Sequence, residues 1–226
     1  MNSLDLYAKI EPLIGFYKEY ERLYDRYLEI LDIYKPKDVL EIGFGRGEFL
    51  KRLKSLGYET AGVEKSGFFL NKALKEGFEV KNDLKNFNKI FSCAVSIGDV
   101  LNYMNEKELA EFFRDLKKVL KKEALFIADI NTKYGFEEVT AGSMIKDEDE
   151  KFLAIDAEFE DEKLITDISL FEKRGECYKK ESAQIVQYFY LPKDIEKISS
   201  LELEKVEPFS LFSDLPDKEI LILKNV

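Results

Sequence analysis

Three glycines stand at alternate positions directly after a short apolar segment, in the sequence DVLEIGFGRGEFL. They are Gly43, Gly45 and Gly47, and the segment before them carries an acid, Glu41. A glycine loop between a parallel strand and the next helix lets a ligand approach backbone amides at the positive end of that helix. The same spacing also suits a tight strand-to-helix turn that binds nothing. The surrounding residues must decide between these two interpretations.

A second acid lies where a nucleotide site needs one. Glu64 lies 21 residues after Gly43, close to the separation at which a carboxylate accepts hydrogen bonds from ribose hydroxyls. The loop has the pattern G-x-G-x-G, and Glu48 occupies the position of the third glycine in the dinucleotide pattern G-x-G-x-x-G. A carboxylate at that position would repel a pyrophosphate. We therefore predict a ligand that has an adenosine group and no phosphate at this loop.

Strand and helix patterns alternate along residues 37–131. The five predicted strands are short segments rich in apolar residues: DVLEI, YETAGVE, FEVKND, IFSCAVSI and ALFIADI. Between them apolar side chains recur at helical spacing, and Gly57, Gly77 and Asn105 are placed to end or begin the helices. Parallel strands need helical crossovers, so the alternation predicts a parallel sheet with helices on both faces. Ligands bind such sheets at the carboxyl ends of the strands, where the glycine loop and Glu64 lie.

The flanking segments have other patterns. Residues 3–34 show helical spacing with a break near Pro12 and Gly15, and a short helix is predicted after Pro192. The segments FLAIDAEF, KLITDISLFE and ECYKKESAQIVQYFY predict an antiparallel three-stranded insert, and the last two extended segments predict a hairpin. We predict one α/β domain over residues 1–226, in four parts: an N-terminal helical lid (1–36), a cofactor-binding core (37–131), the antiparallel insert (150–190), and a C-terminal helix and hairpin (191–226).

Composition limits the classes of function. The chain has 226 residues, a formal net charge of -10 and no histidine, which excludes histidine-based triads and the common zinc sites. Two distant cysteines add no metal motif, and the negative charge disfavours nucleic acid as a partner. No apolar run reaches membrane-spanning length and the amino terminus lacks a secretory signal. We predict a cytoplasmic monomer or homodimer that binds no metal, nucleic acid or membrane.

An acid followed by G-x-G-x-G resembles the first motif of the class I S-adenosylmethionine-dependent methyltransferases. The resemblance covers residues 37–131 and implies a Rossmann-like, doubly wound, seven-stranded methyltransferase sheet with S-adenosyl-L-methionine as the cofactor. It implies that Glu64 binds the ribose, while Asp83 and the Leu84 amide face the adenine. The cofactor-binding residues implied in this way are Glu41, Gly43, Gly45, Gly47, Glu64, Asp83, Leu84 and Ile97.

The segments IGDVLNYM and ADINTKYG look like those of a small-molecule subgroup related to glycine and sugar-amine N-methyltransferases. The subgroup also carries an antiparallel insert, and the resemblance implies that Tyr20 lies in a lid over the cofactor. Asp99, Asn102 and Tyr103 follow the fourth strand at its carboxyl end, so they are candidates for contact with the substrate. Helix capping by Asp99 or Asn102 and core packing of either tyrosine are the alternatives. No residue is identified as catalytic.

The chemistry suits a chain without imidazole. A sulfonium methyl group is already activated, so transfer depends on holding a nucleophile in line more than on a base. A neutral amine needs no strong base, whereas a hydroxyl needs help from a carboxylate or tyrosinate. We therefore predict a methyltransferase acting on a small molecule, with an amine as the favoured acceptor. The alternatives are an NAD-dependent oxidoreductase, against which Glu48 argues, and a module that binds cofactor, or a partner protein through its insert, without turnover.

Overall fold

A computed structural model describes residues 3–226 of the chain. Two helices come first, α1 (Ser3–Ile14) and α2 (Tyr17–Tyr34), as the helical spacing predicts. Pro12 lies inside α1, and the chain breaks at Gly15, whose φ of +80° suits glycine. Residues 1 and 2 of the predicted lid lie outside the described residues. No helix in the described part of the chain combines the length and the apolar character needed to cross a bilayer.

After α2, strands and helices first alternate along the chain, and the later part of the chain consists mostly of strands. The remaining helices are α3 (Glu48–Ser55), α4 (Gly67–Lys75), α5 (Glu106–Val119) and α6 (Pro192–Ser199). The strands are β1 (Asp38–Ile42), β2 (Glu59–Val63), β3 (Glu79–Lys81), β4 (Phe91–Ser96), β5 (Leu120–Asn131), β6 (Gly142–Glu148), β7 (Lys151–Glu160), β8 (Lys163–Arg174), β9 (Cys177–Tyr188), β10 (Glu202–Phe209) and β11 (Lys218–Lys224).

The central sheet has seven strands in the order β10-β11-β5-β4-β1-β2-β3. Strands β1 to β5 are parallel, and β11 pairs antiparallel with both β5 and β10. Six strands therefore run in one direction and β11 runs against them. The predicted α/β class, with a doubly wound Rossmann-like sheet and a terminal hairpin, is confirmed. The chain adds β2 and β3 on one side of β1, and then β4 and β5 on its other side. This change of side creates, between β1 and β4, the crevice where ligands bind in open parallel sheets.

Helices cover both faces of this sheet because strand side chains alternate between the faces. Val39 of β1 packs with Tyr27 of α2 and Phe49 of α3 on one face. Leu40, the next residue of β1, packs with Phe113 of α5 on the other face. The five residues of β1 are all buried, as expected of a strand at the centre of a covered sheet.

A second, antiparallel sheet lies between β5 and α6, with the strand order β6-β7-β8-β9. The predicted insert had three strands over residues 150–190, and the structure adds β6, so the insert begins near residue 142. Strand β6 is an edge strand, and six of its seven residues are exposed. Its sequence GSMIKDE therefore lacks the alternation of apolar and polar residues that marks a half-buried strand.

Helix α1 joins the insert to the rest of the molecule. Leu6 and Ile10 pack against apolar side chains on the inner face of the insert. Lys9 pairs with Glu172 of β8 and Glu181 of β9. These contacts hold α1 across the carboxyl edge of the central sheet, where it covers part of the cleft described below.

Candidate active site

The glycine loop joins β1 to α3, and its three glycines have positive φ values of +70°, +51° and +77°. A Cβ on Gly43 would lie 2.8 Å from Cγ2 of Val100, so packing alone requires glycine there. Gly47 is the N-cap residue of α3 and does not line the cleft. Gly45 differs from both, because a Cβ on it would meet nothing within 4 Å. Its backbone is open to the cleft.

Two buried acids lie beside this open backbone. Glu64, which follows β2, accepts hydrogen bonds from the amides of Gly45 (2.9 Å) and Ser66 (2.7 Å). Burial raises the pKa of Glu64, although these amides oppose the rise. Glu41 of β1 is 3% exposed, and its Oε2 atom has no hydrogen-bond partner among the described residues. A buried carboxyl oxygen without a partner is costly, so this atom is suited to accept a hydrogen bond from a ligand.

The Glu41 carboxyl also destabilises the ligand-free fold. Burial raises the pKa of Glu41 well above its ordinary value of 4.5, and the nearby Glu64 adds to the rise. Because the folded-state pKa exceeds the unfolded one, the contribution of Glu41 to stability is most favourable below pH 4.5 and is lost as the pH rises towards the folded value. We expect Glu41→Gln to raise the free energy of unfolding by about 1–3 kcal/mol near neutral pH, measured by urea denaturation.

The gain from Glu41→Gln should shrink as the pH falls towards 4.5, where the wild-type carboxyl is protonated in both states. Glu48→Gln is the matched control, since this acid begins α3 directly after the glycine loop and its side chain is 45% exposed. That control should change stability little at any pH. A Glu41→Gln protein that is no more stable than the wild type at neutral pH would contradict the expected cost of this buried acid.

A large cleft of about 2010 Å³ extends from the glycine loop to the inner face of the insert. Sites for one small ligand usually measure about 300–1,000 Å³, so this cleft has room for two ligands side by side. Its walls come from α1, α2, the carboxyl ends of β1, β2 and β4, and the insert. Thirteen acidic and four basic residues line it. Such an excess of one sign concentrates ligands of the opposite charge, so the cleft favours cations.

A buried lysine lies between two acids on the wall of the cleft. Lys218, the first residue of β11, is 1% exposed, and its Nζ lies 2.9 Å from Asp99 and 3.0 Å from Asp129. Burial alone would lower the pKa of Lys218, but the two carboxylates outweigh it and raise the pKa. Asp129 also accepts hydrogen bonds from the amides of Gly98 (2.8 Å) and Asp99 (2.9 Å). We call Asp99, Asp129 and Lys218 the buried charge cluster.

Three tyrosines from separate elements lie around Asp99: Tyr7 of α1, Tyr20 of α2, and Tyr103 after β4. The Tyr20 ring would lie 3.4 Å from a Cβ on Gly98, so it passes close over that backbone. Burial raises the pKa of all three phenols above the ordinary value of 10.0, and the Asp99 charge adds to the rise. The hydroxyls are therefore protonated at neutral pH, and none of them is a tyrosinate base.

The cleft brings together most of the residues singled out from the sequence. Those that line it are Glu41, Gly43, Gly45, Glu64, Asp83, Leu84 and Ile97 at the glycine-loop end, with Tyr20, Asp99 and Tyr103 beside the insert. Asn102 does not line it: this residue is wholly buried, and its side chain donates to the Tyr188 carbonyl (2.7 Å) and accepts from the Asn131 amide (3.0 Å). Asn102 holds β9 against the end of β5, which is a structural role.

Sequence reasoning missed Lys218, Asp129 and Tyr7. Asp129 carried a usable signal, because it is the one charged residue in the apolar segment ALFIADI, and a buried charge needs a partner. Lys218 carried none, since lysine is common where a strand begins at the surface. Its burial follows from the pairing of β11 with β5, which sets Lys218 opposite Asn131.

No protein-family model matches the sequence. "Putative methyltransferase YqeM" of Bacillus subtilis is 27% identical over 184 residues, which cover 73% of this chain and 74% of that protein. An S-adenosylmethionine-dependent methyltransferase from Clostridium acetobutylicum superposes with a TM-score of 0.75 at 24% identity, covering 97% of this chain and 96% of that one.

The fold is also that of CalS10, an amino pentose methyltransferase from Micromonospora echinaspora whose structure holds S-adenosylmethionine. That structure superposes with a TM-score of 0.68 at 12% identity and covers 98% of this chain and 97% of the other. At these identities the structural likeness establishes the fold. The chain has the Rossmann-like fold of the class I methyltransferases.

Proposed function

We propose that this protein transfers a methyl group from S-adenosyl-L-methionine to a small amine. The observation that carries the proposal is the Glu41 Oε2 atom, buried at the glycine-loop end of the cleft without a donor among the described residues. A ligand with an N–H group beside Glu41 would satisfy this atom, and the α-ammonium of S-adenosylmethionine is such a group. The fold, and relatives whose names describe them as methyltransferases, support the same proposal.

The residues present fit the cofactor. Gly45 offers open main chain, Glu64 offers carboxylate oxygens for ribose hydroxyls, and Asp83 and Leu84 border the end where an adenine would lie. The acidic lining favours a ligand that carries a positive sulfonium. When bound, S-adenosylmethionine supplies a methyl group that the sulfonium has already activated. The protein then has to orient the acceptor and exclude water, and we assign this role to α1 and the insert, which line the cleft.

An amine fits the acceptor side better than a hydroxyl. A hydroxyl acceptor must lose its proton during transfer, and the phenols nearest to Asp99 are protonated at neutral pH. The raised pKa of Lys218 keeps this side chain an ammonium, so it cannot act as a base. An amine nitrogen attacks with its own lone pair and becomes positively charged, and the acidic cleft stabilises that charge. We also propose a cytoplasmic protein in which the N-terminal helical segment, residues 1–36, acts as a lid.

Two measurements with S-adenosylmethionine test whether the cofactor binds. Isothermal titration calorimetry measures the heat of binding, and thermal denaturation measures the Tm. Ligand at about one hundred times its Kd should stabilise the fold by about 2.7 kcal/mol and raise the Tm by about 5–10 °C. NADH in place of S-adenosylmethionine is the control for the oxidoreductase alternative and should change neither heat nor Tm. The absence of heat and of a thermal shift at millimolar S-adenosylmethionine would refute the proposal.

Methyl transfer itself needs a separate experiment. Metabolite pools incubated with the protein and isotopically labelled S-adenosylmethionine should yield a labelled N-methyl product, identified by mass spectrometry. Bound cofactor without any labelled product across an amine library would favour the module without turnover.

A further inference from the structure

We infer that Asp99, with Tyr7, Tyr20 and Tyr103, forms a subsite for the ammonium group of an organic monocation, and that this subsite rejects zwitterions such as free amino acids. The inference rests on the proposed function for its role in methyl transfer, since it names the charge class of the acceptor. The acceptor binds as an ammonium and releases one proton to solvent before its nitrogen lone pair attacks the methyl carbon, so the N–C bond forms as the S–C bond breaks. Lys218 and Gln187 are positioning residues that hold Asp99 in place.

The acids of the buried charge cluster outnumber its one basic residue. In the buried charge cluster two carboxylates, Asp99 and Asp129, face one ammonium, Lys218. Asp129 is wholly buried, is away from the cleft lining, and is satisfied by Lys218, two backbone amides and the Tyr27 hydroxyl (3.0 Å). Asp99 lines the cleft. The negative charge left over is therefore presented to the cleft by Asp99, and a cation there would balance it.

Asp99 is held by several contacts and still has acceptor capacity. Its Oδ1 accepts from Lys218 (2.9 Å) and its Oδ2 accepts from Gln187 of the insert. Its backbone has a φ of +51°, and its amide donates to Asp129. A carboxylate has about four acceptor positions, so two of them are open to a ligand. A carboxylate fixed in this way pays little entropy when it binds an ammonium.

Aromatic side chains line the cleft around Asp99. Tyr7, Tyr20 and Tyr103 line the cleft around Asp99, and a cation is attracted to the faces of aromatic rings and to hydroxyl oxygens. The adjoining inner face of the insert presents apolar side chains, among them Ile155 and Ala157. An amine with a neutral body fits this arrangement, because its ammonium would meet Asp99 while its body lies along the insert.

The carboxylate of a zwitterion would need a free basic residue in the cleft. Of the four basic residues that line the cleft, Lys218 is neutralised by the two acids of the cluster. Arg46 stacks on Tyr17 at 4.3 Å, and Arg22 donates to the Ser210 carbonyl (3.0 Å). Lys65 follows Glu64 at the opposite, glycine-loop end. Lys218, the basic residue beside Asp99, is therefore not free to pair with a substrate carboxylate, and the acidic lining would repel that carboxylate.

The experiment uses three probes of similar shape: cyclohexylamine, cyclohexanol and 1-aminocyclohexanecarboxylate, which are cationic, neutral and zwitterionic near neutral pH. Each is titrated into the wild-type protein by NMR, with and without S-adenosylhomocysteine. We expect cyclohexylamine to bind about tenfold more tightly than the other two. Equal binding of the three, or detectable binding of none, would overturn the inference. Because the free protein is also titrated, this result is independent of whether the cofactor binds.

Single substitutions test which residues give cyclohexylamine its binding advantage. Asp99→Asn should remove most of the advantage of cyclohexylamine over cyclohexanol, whereas Glu138→Gln, an acid on the same cleft lining but outside the cluster, should retain it. Tyr7→Leu leaves all three charges of the cluster in place and should weaken cyclohexylamine binding by about threefold or more. If Asp99→Asn fails to fold, the Tyr7→Leu titration decides. An advantage that survives in full in Asp99→Asn, an unchanged cyclohexylamine affinity in Tyr7→Leu, or an advantage lost in Glu138→Gln would overturn the inference.

Discussion

Replacing Gly45 by aspartate is expected to weaken S-adenosylmethionine binding by at least about 100-fold, which corresponds to about 2.7 kcal/mol. A Cβ on Gly45 meets nothing within 4 Å, so the new side chain extends into the cleft without a steric clash in the free protein. There it occupies ligand space and adds a carboxylate beside Glu64, whose Oε2 lies 2.9 Å from the Gly45 amide. Calorimetry measures the affinity, and the Tm of the free protein checks the fold.

The matched control is Gly175→Asp in the turn between β8 and β9. Gly175 has a φ of +65°, close to the +51° of Gly45, and a Cβ on it also meets nothing within 4 Å. Both variants therefore bear a similar backbone strain of about 1–2 kcal/mol, and only Gly45→Asp alters the cleft. Equal affinities in the two variants would show that the glycine loop is a turn that binds nothing.

Lys218→Met should be the most destabilising of the substitutions considered for this protein, at about 3–5 kcal/mol. Methionine has a similar length, so the main effect is on charge. It leaves Asp99 and Asp129 buried without the ammonium that lies 2.9 and 3.0 Å from them. In a chain of this size the Tm should fall by about 6–20 °C, which thermal denaturation measures. Lys224→Met on the same strand is the control, because its ion pair with Glu123 is at the surface.

The double variant Lys218→Met/Asp99→Asn separates charge from packing. Removing one carboxylate leaves Asp129 with its backbone and tyrosine donors, so the double variant should be more stable than Lys218→Met alone. If Lys218 mattered only by filling space, the second substitution would lower stability further or leave it unchanged. That outcome would contradict the account of the buried charge cluster.

Local patterns account for the parts of the fold that were predicted correctly. Strands β1 and β4 are short segments with almost wholly buried residues, and Gly57 and Gly77, which end the predicted helices, have φ values of +89° and +78°. Asn105 caps α5 in a reciprocal arrangement with Glu108. Each of these signals acts over a few residues, so it can be read without knowing what lies elsewhere in the chain. Strand β6 was missed because an exposed edge strand has no such signal.

The doubly wound sheet and the glycine-loop end of the cleft could be predicted from local sequence patterns. Glu41, Gly45 and Glu64 lie near one another in the chain, and parallel strands bring their carboxyl ends to one edge. The other end of the cleft could not be predicted, because it is built from residues that are far apart in the chain. Asp99 meets Gln187 across 88 residues and Lys218 across 119, through the insert and the antiparallel last strand. Such contacts depend on strand pairing over long sequence separations, and a single residue in one segment does not reveal its partner in another.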